Sequence, residues 1–215
     1  MANWPDPRTS ATGYGGASTN ASEVAFDAGL RSYMLSIYNY MASGVLVTGI
    51  VALLFASSGL AEQVLVTPLR WLIMLAPLAF VMVLSFGIHK LQTSTAQMLY
   101  WAFAVVMGLS MSSIFLVFTG VSIAQTFFAT AAAFVGLSLY GYTTKKDLSG
   151  FGTFLIMGVI FAGLTAYDTQ RLKSMYAQIA GTDMMGKAVI MGALSLYLDF
   201  VNMFTFLLQL LGNRE

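Results

Sequence analysis

Cysteine is absent from these 215 residues, histidine occurs once, and charged side chains make up only 9% of the chain. The first absence removes disulfides, thiolate metal sites and a cysteine nucleophile. The second removes any histidine cluster that could hold a metal. Ten Lys and Arg against nine Asp and Glu leave a formal charge of +1, so no basic surface is available for nucleic acid. No P-loop, Rossmann glycine pattern, HExxH or GxSxG is present either. What the chain does have is apolar mass: 58% of its residues are hydrophobic and its mean hydropathy is +0.77, outside the range of soluble domains.

Apolar runs of about 18 residues or more predict transmembrane helices. In lipid only helices and closed barrels satisfy the backbone, and these runs lack a barrel's alternation. The expected fold is therefore all-α, a polytopic transmembrane helix bundle with the lipid bilayer as its solvent. Six segments stand out: Tyr33 to Ala56, Trp71 to Ile88 with Pro77 as a kink site, Met98 to Phe118, Ala124 to Tyr142, Phe151 to Tyr167, and Ala188 to Leu211. Gly108 and Ser112 are spaced for close helix approach in the third, and Ala129, Ala132, Ala133 and Gly136 form a small-residue seam in the fourth. Residues 1–22, rich in Gly, Ser, Ala and Thr, predict a disordered tail, and 23–215 a single transmembrane domain. Ser22 to Arg31 reads as a short interfacial helix leading into the membrane.

The positive-inside rule places Arg8, Arg31, Lys90, Lys145 and Lys146 on the cytoplasmic side, with a cytoplasmic N-terminus and Arg70 opposite. The fifth segment conflicts with this rule. Crossing once, it would put Arg171 and Lys173 on the far side; dipping in and returning, it would keep them with Lys145 and Lys146. Its length of about 17 residues is too short for two full crossings.

Two carboxylates carry the candidate chemistry. Asp199 sits inside the last segment, where an ionisable group is costly and usually meets a polar interior. Ser195, Asp199, Asn202, Thr205 and Gln209 recur at helical spacing and predict one polar stripe. Asp168, in TAYDTQRLK, ends the fifth segment. Packed together, the two carboxyls would share a proton and titrate as a unit, as a pH sensor or an ion site. The plainer alternatives are an interfacial Asp168 paired with Arg171 or Lys173, and a hydrogen-bonded structural Asp199. His89 alone forms no metal site and is ordinarily interfacial, whereas Lys90 is placed to reach the carboxylate pair.

Three blocks, Thr130 to Gly152, Thr165 to Lys173 and Ala193 to Gly212, resemble the Bax inhibitor family of small polytopic membrane proteins. The resemblance implies a pH-sensitive calcium leak across the cytoplasmic membrane. Its gate would be a hydrogen-bonded aspartate pair matching Asp168 and Asp199, which would also meet permeating Ca²⁺ weakly and transiently, with no tightly bound cofactor. It also implies a basic latch at the end of the second helix, where this chain has His89 and Lys90 and no arginine. Family members have seven helices; here one short run occupies the interval of two. Such a chain is not expected to be an enzyme. The nearest enzymatic alternative, an intramembrane aspartyl protease, requires Gly-x-Gly-Asp where this chain has Leu196-Tyr197-Leu198-Asp199. The other alternative is a non-transporting regulator that binds a membrane protease or a cell-death factor.

Overall fold

The computed structural model describes the backbone of residues 16–144 and 158–214, and the side chains of 23–144 and 163–214. Among the described residues eight helices run in order: α1 (Gly16–Ser57), α2 (Leu60–Leu65), α3 (Leu69–Gly87), α4 (Thr93–Met111), α5 (Ile114–Val117), α6 (Gly120–Thr143), α7 (Gly158–Ile179) and α8 (Met184–Leu211). Among the described residues there is no β-strand; one isolated antiparallel bridge joins Phe118 to Arg214. Among the described residues five stretches are long and apolar enough to cross a membrane: Glu23–Ser57, Leu69–Gly87, Thr93–Val117, Gly120–Thr143 and Met184–Leu211. The expected fifth segment, Phe151 to Tyr167, lies outside the described residues over 151–157, and its remainder falls in α7. The expected interfacial helix is continuous with α1, which begins at Gly16.

Helices α1, α4 and α8 run one way and α3, α6 and α7 the other, so the bundle has two ends. At one, Gly29 of α1 lies against Tyr176 of α7, Gly186 of α8 against Thr93 of α4, and Lys187 donates to the His89 carbonyl at 3.4 Å. Lys173 donates to the Tyr142 carbonyl at 2.8 Å and its ammonium sits 4.7 Å from the centre of that ring. Lys173 therefore stands at the same end as the close of α6, which rules out the single-crossing arrangement. Arg31, Lys90, Arg171 and Lys187 share this basic end, while Arg70 and Arg214 mark the far end. There Thr119 caps α6 by accepting from the Ser122 amide at 3.3 Å.

Helix α8 is the axis of the bundle. Two thirds (67%) of its apolar window is buried, against 11% for α3 and 22–28% for α1, α4 and α6. Lipid is as apolar as leucine, so contact there is decided by shape and polar pairing rather than by hydrophobicity. Gly108 shows the shape term: a Cβ there would lie 2.7 Å from the Thr48 carbonyl oxygen, so α4 and α1 approach backbone to backbone. Polar pairing shows beside it, where the Thr48 hydroxyl lies 2.7 Å from the Tyr197 hydroxyl and donates to the Ala104 carbonyl at 2.8 Å.

The seam on α6 is a correction. Ala129, Ala132, Ala133 and Gly136 are all exposed, and nothing lies within 4 Å of a Cβ built on Gly136. The buried face is Ser122, Thr126, Thr130, Phe134, Ser138 and Gly141. Thr130 is satisfied within the helix by its 2.7 Å bond to the Thr126 carbonyl, while Ser122 and Ser138 accept across helices from the Asn213 amide and the Thr169 hydroxyl.

Candidate functional site

Two glycines let α7 reach its neighbours. A Cβ on Gly141 of α6 would fall on the Ala166 carbonyl, and one on Gly192 of α8 would meet Leu172 at 2.9 Å and Ile37 at 3.0 Å. The resulting α7–α8 hairpin is antiparallel and sets Asp168 opposite the stretch from Ser195 to Asp199. The Ser195 hydroxyl donates to Asp168 Oδ2 at 2.7 Å, and the Asp199 carboxyl lies within electrostatic range of the Asp168 carboxyl. Two carboxyls that close in a low-dielectric interior cannot both ionise cheaply. Asp199 is 9% exposed, and its Oδ2 is buried with no hydrogen-bond partner. Buried Thr165 and Thr169 flank Asp168 on α7, the latter donating to Ser138 of α6 at 3.5 Å.

A cavity of about 370 Å³ opens at the basic end and reaches Asp168 and Ser195. His89, Arg171 and Lys187 line it with them. Of the two latch residues, His89 is at this mouth, whereas Lys90 is exposed and does not line it. Arg171 and Lys187 were not anticipated for this role. Only the hairpin geometry, which folds the end of α7 back beside the start of α8, brings them to the mouth.

The polar stripe divides. Ser195 and Asp199 converge on α7, Thr205 bonds its own Val201 carbonyl at 2.7 Å, and Asn202 and Gln209 are exposed. Among the described residues no cluster of three or more His, Cys, Asp or Glu could hold a metal. Two carboxyls and a serine hydroxyl supply few of the six to eight oxygens that Ca²⁺ prefers.

A family model described as "Inhibitor of apoptosis-promoting Bax1" matches residues 30–162 and 159–215. The chain is 43% identical to the inner membrane protein YbhL of Escherichia coli, over 87% of this chain and 94% of that protein. It is 41% identical to an uncharacterized protein of Caulobacter vibrioides (90% and 94%) and 40% identical to the uncharacterized protein RP147 of Rickettsia prowazekii (92% and 96%). The alignment to YbhL has 220 positions but takes in only 87% of these 215 residues, leaving about 30 positions that this chain does not fill, more than one membrane crossing. The family model matches in two stretches that overlap at residues 159–162 and together cover well over half of the chain. The chain belongs to the Bax inhibitor family.

Proposed function

We propose that this protein is a pH-sensitive calcium leak of the cytoplasmic membrane, gated by the shared proton of Asp168 and Asp199. The observation that carries the reading is the Asp168–Asp199 carboxyl pair, with Ser195 bonded to Asp168 at 2.7 Å, beside a cavity open to the basic end. With the proton in place, the pair bridges α7 and α8 and closes the way inward. Loss of the proton sets two like charges against each other in a medium where that repulsion is strong, separating the helices and offering oxygens to a passing cation. Arg171 and Lys187 at the mouth repel divalent cations and favour the closed arrangement. Ca²⁺ is the cargo; weak, open coordination suits conduction, which requires ions to leave as well as enter. The concentration of Arg and Lys at one end supports a cytoplasmic N-terminus and basic end.

The test is calcium efflux from proteoliposomes across roughly pH 5 to 8, comparing the parent chain with Asp199→Asn. A flux that varies with pH in the parent and not in the variant supports the gated leak. No flux above empty liposomes at any pH sinks it. The second reading, a non-transporting regulator of another membrane protein, is favoured by the 30 or so positions that relatives carry and this chain lacks. On that reading the double variant Asp168→Asn/Asp199→Asn keeps its partner.

A further inference from the structure

Two permanent cations and the only histidine of the chain come from three directions to one cavity of about 370 Å³: Arg171 from α7, Lys187 from α8 and His89 from the end of α3. Asp168 is the one carboxylate among the described residues that lines it, at the inner end beside Ser195. Lys187 precedes Ser195 by eight residues of α8, a rise of about 12 Å toward the basic end. Arg171 lies one turn past Asp168 in the same direction. The mouth is therefore basic over its outer turns. No ion pair joins Arg171 or Lys187 to a carboxylate among the described residues. Lys187 reaches only the His89 carbonyl, at a long 3.4 Å.

A basic mouth alone would suit any small anion. Its walls narrow the choice. Ile88, Leu172, Met175, Ile179 and Met191 line the same cavity, so an occupant must offer negative charge and apolar surface side by side. A phospholipid has its parts in that order, a phosphate directly above acyl chains. Free phosphate gains nothing from the apolar wall, and a zwitterionic headgroup brings a cation of its own against Arg171 and Lys187. The volume falls in the range of small-ligand sites, about 300–1,000 Å³, enough for a headgroup and the start of its chains.

We propose that this cavity binds the headgroup of an anionic phospholipid from the leaflet at the basic end. Arg171 presents a planar fork that matches phosphate oxygens, and Lys187 adds a point charge from the facing helix. His89 has a ring N–H to donate in either protonation state. Basic pockets between membrane helices recognise anionic headgroups in this way. The larger cavity between α1 and α6, about 550 Å³, is lined by a single cation, Arg31, and has no second charge to clasp a phosphate. Binding at the basic mouth stands independently of whether the protein conducts ions.

Native mass spectrometry of the full chain, given equal amounts of phosphatidylglycerol and phosphatidylcholine in detergent, counts the lipid retained without any measurement of flux. One phosphatidylglycerol per chain should be held in preference to phosphatidylcholine. Arg171→Gln and Lys187→Gln should each lower that preference about fivefold. Arg171 is exposed and Lys187 half-buried, so neither change opens the core. The control is Arg31→Gln/Lys90→Gln, which removes the same charge from the same end but outside this cavity, and it should leave the preference unchanged. Excess glycerol phosphate, a headgroup without chains, should not displace the lipid. No preference in the parent, an equal loss in the control, or displacement by glycerol phosphate would overturn the proposal.

Discussion

Asp168 faces one helix at two points: Ser195 donates to its Oδ2 at 2.7 Å, and Asp199, one turn further along α8, sets a second carboxyl near it. Ser195 fixes the rotamer of Asp168, and the rotamer fixes whether the two carboxyls meet. Ser195→Ala should therefore lower stability by about 1–2 kcal/mol, the worth of a hydrogen bond to a carboxyl. Equilibrium unfolding in mixed micelles measures this; unchanged stability would show that the bond does not bridge the helices in the membrane protein.

The Thr48–Tyr197 pair lends itself to a double-mutant cycle. Thr48→Val removes two bonds and leaves a buried tyrosine hydroxyl unsatisfied, which should cost about 1–3 kcal/mol. Tyr197→Phe in the Thr48→Val background should cost less than it does alone. Additive effects would mean that the two hydroxyls are independent.

Two glycines on α6 should respond oppositely. Gly141→Val drives a side chain into the Ala166 carbonyl and should destabilise by at least ~1–3 kcal/mol while displacing Asp168. Gly136→Ala meets open space and should stay within ~0.5 kcal/mol of the parent. Unfolding midpoints for the two variants, read side by side, decide whether α6 presents the face described.

Arg171→Gln together with Lys187→Gln removes two cations from the mouth of the cavity. On the proposed mechanism calcium flux should rise severalfold and lose part of its ionic-strength dependence. A flux unchanged at both low and high salt would place the permeation path elsewhere.

The chain's membrane character and the meeting of the two aspartates could be read in advance, because a carboxylate inside an apolar helix leaves few places for it to go. The packing face of α6 could not. Alanine and glycine suggest close approach, but serine and threonine can also be buried once bonded to their own helix, and in lipid both faces look alike to a hydropathy count. The basic mouth was hidden for a different reason. Arg171 and Lys187 are 16 residues apart in sequence and meet only because α7 and α8 turn back on each other. The polar stripe was half legible: its spacing put Ser195 and Asp199 toward a partner, but could not show that Asn202 and Gln209 are exposed.

The C-terminal residues act as a mooring. The Thr119 amide donates to the Asn213 carbonyl at 3.1 Å, the Asn213 amide to Ser122 Oγ at 3.0 Å, and the Arg214 guanidinium lies 5.7 Å from the centre of the Phe118 ring. These contacts tie the end of α8 to the start of α6, the helix that also supports α7 through Gly141 and Ser138. The vertical position of Asp199 is thus set from the opposite end of the bundle, as a plumb line is set by its hook. A change at Asn213, 14 residues and about 21 Å of helix from Asp199, would let the carboxyl slip against Asp168 without touching either one.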